Sequence, residues 1–288
     1  MDQEREISAE PGSYDFRRVS TTALIPAFGR GEYSDIPWAK EMLAFLRARG
    51  LTPEGGLWNE RGAQNYAPFF ESRFKSVNRI LAERGARQVL ELAAGLSPRG
   101  MDFAQRGIVF VEADLAESSE LKRGIVTALC GAVPPNLHLC VASVIDSAEF
   151  RQCCGVFSDG PVAVATEGLL RYLTFHEKKL LSANVRELLT RHGGFWVTTD
   201  IHLRQWARGH RRVTSRQRET ELLGRDLDPN YFEDVGHAQR FFEECGFAVD
   251  SRPLLEGIRE SVITLPMAPD DLLAELNDRR TFVLTCTG

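Results

Sequence analysis

The chain has 288 residues, 43% of them apolar, and a formal net charge of −5. That length suits one large domain, or one domain with a sizeable appendage, and the apolar share argues against a mainly disordered chain. The acidic balance leaves no cationic excess to hold nucleic acid or an anionic membrane. Arginine supplies nearly all of the basic residues, since only Lys40, Lys75, Lys122, Lys178 and Lys179 are lysines. We read that bias as codon usage in a GC-rich genome rather than as guanidinium recognition. The longest apolar stretch, around residues 139–145, is too short to cross a bilayer. The acidic start, Met1 to Glu6, has no apolar core behind it and does not resemble a secretory signal. A cytoplasmic location is the expectation. Six cysteines, at 130, 140, 153, 154, 245 and 286, form no CxxC pair and have no histidine at zinc-ligand spacing. Reduced thiols and no metal are expected.

Residues 1 to about 18 are polar and read as loose. From Ser34 the pattern becomes helical. Asp35 can cap, Pro37 suits a first turn, and Trp38, Met42, Leu43 and Leu46 recur at helical spacing up to Gly50. Residues 51–66 hold glycines and a proline and read as a connector. A second helix is expected from Pro68 to Arg84, with Phe70, Phe74, Val77, Ile80 and Leu81 on one face and Gly85 ending it. Beyond Gly85 short apolar runs alternate with helical patterns. Strands are expected at 88–92, 108–111, 137–142, 162–166, 195–199, 247–250 and 281–285. Thr174-Phe175-His176-Glu177 is a capping box ahead of a helix that runs to Arg191 and closes at Gly193-Gly194. Alternation of this kind predicts an α/β fold, a Rossmann-like, seven-stranded, doubly wound sheet. Residues 1–86 would form an N-terminal helical cap and 87–288 the main domain.

One insertion interrupts the pattern. Residues 201–235 carry Arg204, Arg208, Arg211, Arg212, Arg216, Arg218 and Arg225. It reads either as a solvated loop or helix, or as a lid over a substrate site.

The strongest local signal is Val89-Leu90-Glu91-Leu92-Ala93-Ala94-Gly95-Leu96-Ser97-Pro98-Arg99-Gly100. A strand runs into a turn of small residues and then into a helix opening with Ser97 and Pro98. Small side chains admit a ligand to the backbone, and free amides favour a polar or anionic group. Val111-Glu112-Ala113-Asp114 ends the second strand, where a carboxylate can accept both hydrogen bonds of a ribose diol. Two of the three glycines of a dinucleotide loop are missing, so a pyrophosphate is poorly served. Neither a Tyr-x-x-x-Lys pair nor a phosphate-binding G-x-x-x-x-G-K-[ST] loop occurs. The relaxed loop with a distant acid suits S-adenosylmethionine, which has no phosphates.

The segment Thr166-Glu167-Gly168-Leu169-Leu170-Arg171-Tyr172-Leu173 resembles the E-G-L-L-x-Y-L signature of the leucine carboxyl methyltransferase family. Arg87 to Gly100 is similar to that family's first motif, and Val111-Glu112-Ala113-Asp114-Leu115 to its E-x-D-hydrophobic motif. Ser20 to Ile25 and Ser34 to Ala39 are similar to its tetracenomycin-type polyketide O-methyltransferase branch. The likeness covers residues 15 to about 250. It implies S-adenosylmethionine as cosubstrate. On this resemblance Arg73 would grip the carboxylate of the cofactor's methionine part, with Ala93 and Gly95 at the family's G-x-G turn. Asp114 would hold the ribose, beside Leu115, with Glu112 as the neighbouring alternative on the same strand face. Ser143 and Val144 would stand at the adenine contact, and Glu167 beside the ammonium group. Ala93 and Ser143 depart from the family pattern.

The resemblance implies methyl transfer to a carboxylate or hydroxyl of a small molecule, polyketide-type metabolites included. A carboxylate acceptor needs no base. A phenol or alcohol does, and His202 just after the fifth strand is the geometric candidate, ahead of His176 and His237, with no catalytic residue assigned. Tyr172 would pack or close the cofactor pocket. The alternative is a catalytically silent binding module that kept the fold. A nicotinamide oxidoreductase is opposed by the glycine pattern. DNA amine methylation is opposed by Thr166-Glu167-Gly168-Leu169 where a D/N-P-P-aromatic run would stand.

Overall fold

Strand β1 (Gln88–Leu92) and strand β4 (Val162–Thr166) are buried along their whole lengths, which is why their sequences show no apolar–polar alternation. They lie side by side at the centre of a seven-stranded sheet of order β3-β2-β1-β4-β5-β7-β6. Around them stand β2 (Val109–Asp114), β3 (Leu137–Val141), β5 (Gly194–Thr198), β6 (Phe247–Pro253) and β7 (Arg280–Cys286). The first five are parallel, and β7 enters antiparallel between β5 and β6. The computed structural model describes residues 21–53, 60–207 and 227–287. The N-terminal 18 residues and the arginines at 208, 211, 212, 216, 218 and 225 lie outside them.

Helices cover both faces of the sheet, as the alternating pattern requires. One face takes α1 (Thr21–Tyr33), α2 (Ala39–Ala48), α3 (Glu60–Glu83), α4 (Arg99–Gln105) and α5 (Ala116–Cys130). Leu24, Phe28, Met42, Leu46, Val77 and Leu81 share one core there with Val89, Phe110, Ala165 and Val197. The other face takes α6 (Ser147–Cys154), α7 (Phe175–His192) and α9 (Val235–Glu244), with a short α8 (Arg204–Ala207) between β5 and α9. Its core gathers Leu90, Val164, Leu181, Trp196, Phe242 and Phe282. A last helix, α10 (Asp270–Asp278), leads into β7. No helix among the described residues is long and apolar enough to cross a membrane.

The expected fold class is present, and most differences are at element ends. The expected capping box is in place: Glu177 N–H donates to Thr174 Oγ1, and Thr174 N–H to the Glu177 carboxylate. Two expectations for the N-terminal helices are corrected. Helix α2 starts at Ala39 rather than on Pro37, because Trp38 turns the chain with φ 66°. Asp35 does not cap it and instead accepts from Lys75 Nζ at 2.5 Å. Helix α3 begins at Glu60, eight residues ahead of the expected Pro68. Pro68 removes one backbone donor without ending the helix, and Tyr66 stacks on Phe70 across it with ring centres 5.9 Å apart.

Candidate active site

The turn after β1 is the first part of the site. Ala93 N–H donates to Ala113 O at 2.8 Å, which carries the chain from β1 across the end of β2. Asp114, the last residue of β2, then ties the turn down: its carboxylate accepts from Gly95 N–H and Leu115 N–H, both at 2.7 Å. From beneath, Lys122 of α5 donates to Ser97 O and, at 3.4 Å, to Gly95 O, while its Nζ lies 2.8 Å from Glu112 Oε2. Burial pushes the Glu112 carboxyl up to about 7 against the pull of Lys122. Helix α4 packs onto it through Gly100, where a Cβ would stand 2.2 Å from Glu112 Oε1. A small cavity there is lined by Ala94, Gly95, Glu112, Asp114, Ser119 and Lys122. Glu112 and Asp114 thus border the same space, and Asp114 is the acid at its open end.

Both Ala93 and Gly95 hold left-handed backbone, with φ of 52° and 49°. The conformation costs a side-chain-bearing residue about 1–2 kcal/mol, which accounts physically for a preference for glycine at position 93. Glycine returns part of that through its larger unfolded-state entropy, about 0.4–1 kcal/mol. Ala93→Gly is therefore expected to stabilise the fold by about 0.5–1 kcal/mol, read as a higher urea midpoint at unchanged slope. A lower midpoint would contradict the strain argument.

Beside Asp114 the surface is apolar and open. Leu115 is 63% exposed and Val141 57%, and Val141 is the β3 register partner of Asp114. Past β3, Ser143 N–H donates to Glu149 Oε2 at 2.7 Å, and Val144 O accepts from Asn184 at 3.0 Å. An acid flanked by two uncovered aliphatic side chains is what a nucleoside needs, with ribose on the carboxylate and base on the aliphatic surface.

The second part of the site is a buried ionic cluster at the ends of β1, β4 and β5. Glu167, directly after β4, accepts from Arg99 of α4 at 2.9 Å and from Arg30 of α1 at 3.3 Å. Arg99 also pairs with Glu91 on β1 and lies over the Phe74 ring at 4.3 Å. Arg73 of α3 donates to Asp200, after β5, at 3.0 Å and to Thr199 Oγ1 at 3.4 Å. Asp200 holds the β4 turn as well, accepting from Gly168, Leu169 and Leu170 N–H. Arg30, Arg73 and Arg99 thus face Glu91, Glu167 and Asp200, three charges of each sign. Burial would raise the Glu167 carboxyl, but Arg99, Arg73 and Arg30 outweigh it and hold it below its ordinary value. For Glu91 burial prevails over Arg99 and the pKa is raised. Burial also lowers Arg30 to about 10, and its buried Nε has no hydrogen-bond partner.

The structure therefore brings the sequence-derived residues to one end of the sheet in two groups. Gly95, Asp114 and Leu115 stand with Ser143 and Val144 at the β1–β2–β3 ends, and Arg73 with Glu167 at the β4–β5 ends. Arg30 joins the two, donating to Leu96 O at 3.2 Å as well as to Glu167. His202 is buried, with Nδ1 3.3 Å from Asp200 O and its ring stacked on Tyr231. His176 is exposed, and His237 stacks on Phe175 at the start of α9. Tyr172 packs against Leu227 and Tyr231. Arg204 pairs with Glu233, and residues 208–226 of the arginine-rich insertion lie outside the described residues. Arg30, Lys122 and Asp200 had no sequence signal. Arg99 stood inside the first-motif segment but without a role. All six cysteines are free, and no cluster of three or more metal-ligating side chains occurs among the described residues.

Residues 57–186 match the model of a family described as leucine carboxyl methyltransferase. A magnesium protoporphyrin IX methyltransferase from Synechocystis PCC 6803, solved with bound S-adenosylhomocysteine, is similar in fold. It has a TM-score of 0.51 and 11% identity, over 85% of this chain and 95% of its own. A methyltransferase-like protein from Thermobifida fusca YX gives a TM-score of 0.58 and 16% identity, over 98% and 99%. At these identities the likeness establishes the fold, that of class I methyltransferases. No curated protein gives a significant match.

Proposed function

We propose, because residues 57–186 match the leucine carboxyl methyltransferase model and the sheet has the fold of class I methyltransferases, that the chain binds S-adenosylmethionine and methylates a carboxylate or hydroxyl of a small molecule. The observation that carries this is the grouping at one sheet end of an acid beside an open aliphatic surface and a charge-balanced cluster. Asp114 with Leu115 and Val141 suits the adenosine part of the cofactor. Arg73 and Glu167 offer one guanidinium and one carboxylate to its amino-acid part. Such a zwitterion can exchange with existing ion pairs without leaving net charge buried, and Arg30 Nε is a spare buried donor. Ala93 uses only its backbone in the turn, so its methyl group does not oppose the assignment.

When bound, the cofactor supplies an electrophilic methyl group on a sulfonium. The chain's contribution is to align an acceptor with it and to keep water out, which is most of the work when both reacting charges shrink. A second reading, a binding module without turnover, is favoured by how completely Arg73 and Asp200 satisfy each other. Cell extract incubated with the protein and methyl-labelled S-adenosylmethionine separates the two. A labelled metabolite supports the enzyme, and binding without any label supports the module.

Arg73→Ala and Asp114→Ala are each expected to weaken cofactor binding by about 1–3 kcal/mol, the scale of a hydrogen bond to a charged group. Calorimetry on variants with wild-type circular dichroism checks this. Unchanged affinity in both would show that these residues do not hold the cofactor.

A further inference from the structure

We propose that Glu112 is a positioning residue of the cofactor site: its ionised form holds Lys122 under the Gly95 turn and away from Asp114, so S-adenosylmethionine binds with release of the proton that Glu112 otherwise carries. The proposal rests on the cofactor reading given above and couples it to a proton. Glu112 stands on β2 two residues before Asp114, so both side chains point to the same face of the sheet. Helix α5 brings Lys122 to that face. Glu112, Asp114 and Lys122 line one small cavity together with Gly95, Ser118 and Ser119. Glu112, Lys122 and Ser119 are buried, whereas Gly95, Asp114 and Ser118 are half-buried, so the cavity meets the surface at its Asp114 end.

Two other carboxylates of this chain are as deeply buried and show what a purely structural acid needs. Asp200 accepts from Arg73 and from three backbone N–H groups. Glu71 accepts from Ile263 N–H, Thr264 N–H and Thr264 Oγ1, and pairs with Lys75 at 2.7 Å. Glu112 has far less. Lys122 Nζ lies 2.8 Å from Oε2, and beyond that ion pair neither oxygen has a hydrogen-bond partner among the described residues. Oε1 faces Gly100 of α4, where even a Cβ would clash. A buried carboxylate so poorly served takes a proton readily. The charges near it come from each element packed on it. Glu91, its β1 register partner, is paired with Arg99 of α4. Asp102 of α4 is paired with Arg106. On β3 the facing residues, Leu137 and Leu139, are apolar. On α5, Lys122 is the facing cation, while Arg123 turns to Leu139 O and Glu117 is exposed. Burial raises the Glu112 carboxyl to about 7; Lys122 opposes the rise, and Glu91 and Asp114 add to it.

Lys122 links this proton to the cofactor turn. It donates to Ser97 O and, at 3.4 Å, to Gly95 O, and so holds from beneath the turn whose Gly95 N–H donates to Asp114. With Glu112 ionised, the ammonium is balanced where it stands. With Glu112 protonated, the ammonium has lost its counter-ion in a dry site, and Asp114 is the other carboxylate on the same cavity. An ammonium drawn to Asp114 competes with Gly95 N–H, Leu115 N–H and the ribose hydroxyls for its oxygens. The turn loosens and the ribose site weakens, so the cofactor prefers the ionised form. That preference lowers the Glu112 pKa in the complex. Binding then releases a proton, tightens as pH rises through the value of the free protein, and levels off above it.

Calorimetry of the full-length chain with S-adenosylmethionine at pH 6, 7 and 8 tests this. At pH 7 it is run in phosphate and in Tris, whose unlike ionisation heats report the protons exchanged. Wild type is expected to bind about five- to tenfold more tightly at pH 8 than at pH 6 and to release about 0.4 proton at pH 7, as linkage requires of a group whose pKa falls by about one unit or more on binding. Glu112→Gln, neutral at every pH, should bind nearly like wild type at pH 6, about five- to tenfold more weakly at pH 8, and without that release. Titration of the cofactor's own amino group is common to both proteins and cancels in the comparison. A variant weakened by the same factor at every pH, or one that releases as many protons as wild type, overturns the proposal and leaves Glu112 a structural residue. A second measurement needs no variant. The Gly95 amide signal of the ligand-free wild type, followed by NMR, is expected to shift with a midpoint near 7, and a signal flat from pH 6 to 8 overturns the proposal. No heat at any pH removes the cofactor reading, and the proton release with it, while the Gly95 signal still decides whether Glu112 governs the turn.

Discussion

Asp200→Ala is expected to lower the unfolding free energy by about 3–5 kcal/mol, the range for removing one partner of a buried ion pair. The side chain is fully enclosed and has four donors at once: Arg73 and the N–H groups of Gly168, Leu169 and Leu170. Alanine would leave a buried guanidinium without its carboxylate and free the turn that carries Glu167. Asp200→Asn keeps one acceptor oxygen but loses the charge, so it should fall between wild type and alanine. Urea unfolding of the three proteins checks the order. An alanine variant within 1 kcal/mol of wild type, judged against the usual cost of an ordinary surface substitution (about ±0.5 kcal/mol), would show that Asp200 does not hold this cluster together.

Glu167→Gln should have the second largest effect, in both stability and binding. The substitution removes the one carboxylate between Arg30 and Arg99, and Arg73 lies in the same field. A cost of about 3 kcal/mol is expected, together with at least about tenfold weaker S-adenosylmethionine binding, since three guanidiniums would then face two acids. A double-mutant cycle with Arg30→Met separates the pair from its surroundings. A coupling of about 0.5–3 kcal/mol is expected for residues in one buried network. Additive effects would place Arg30 outside it. Below the folded-state pKa of Glu167, which is lower than in the unfolded chain, the wild-type advantage should disappear, and it should be complete above the unfolded value.

The strands and the Gly95 turn were legible because their signals are local. A continuous apolar run such as 162–166 can be buried on both faces only as a central strand, and small residues between strand and helix mark a ligand turn. Asp114 followed from strand periodicity and position. The partners of these residues were not legible. Arg30 and Glu167 are separated by 137 positions, Arg73 and Asp200 by 127, and an ion pair across such distances leaves no periodic trace. Against a background rich in arginine, Arg30 and Arg99 looked like any others. The start of α3 was missed for a local reason: Pro68 reads as a helix start, yet the helix runs through it from Glu60. The left-handed Trp38 carries no composition cue at all.

Cofactor binding by the intact chain, measured by titration calorimetry with S-adenosylmethionine, is the most direct test of the site. One site per chain, displaced by S-adenosylhomocysteine and weakened in Asp114→Ala, is the predicted result. No heat with the sulfonium cofactor and no competition by its demethylated product, in a protein that unfolds cooperatively, would contradict it.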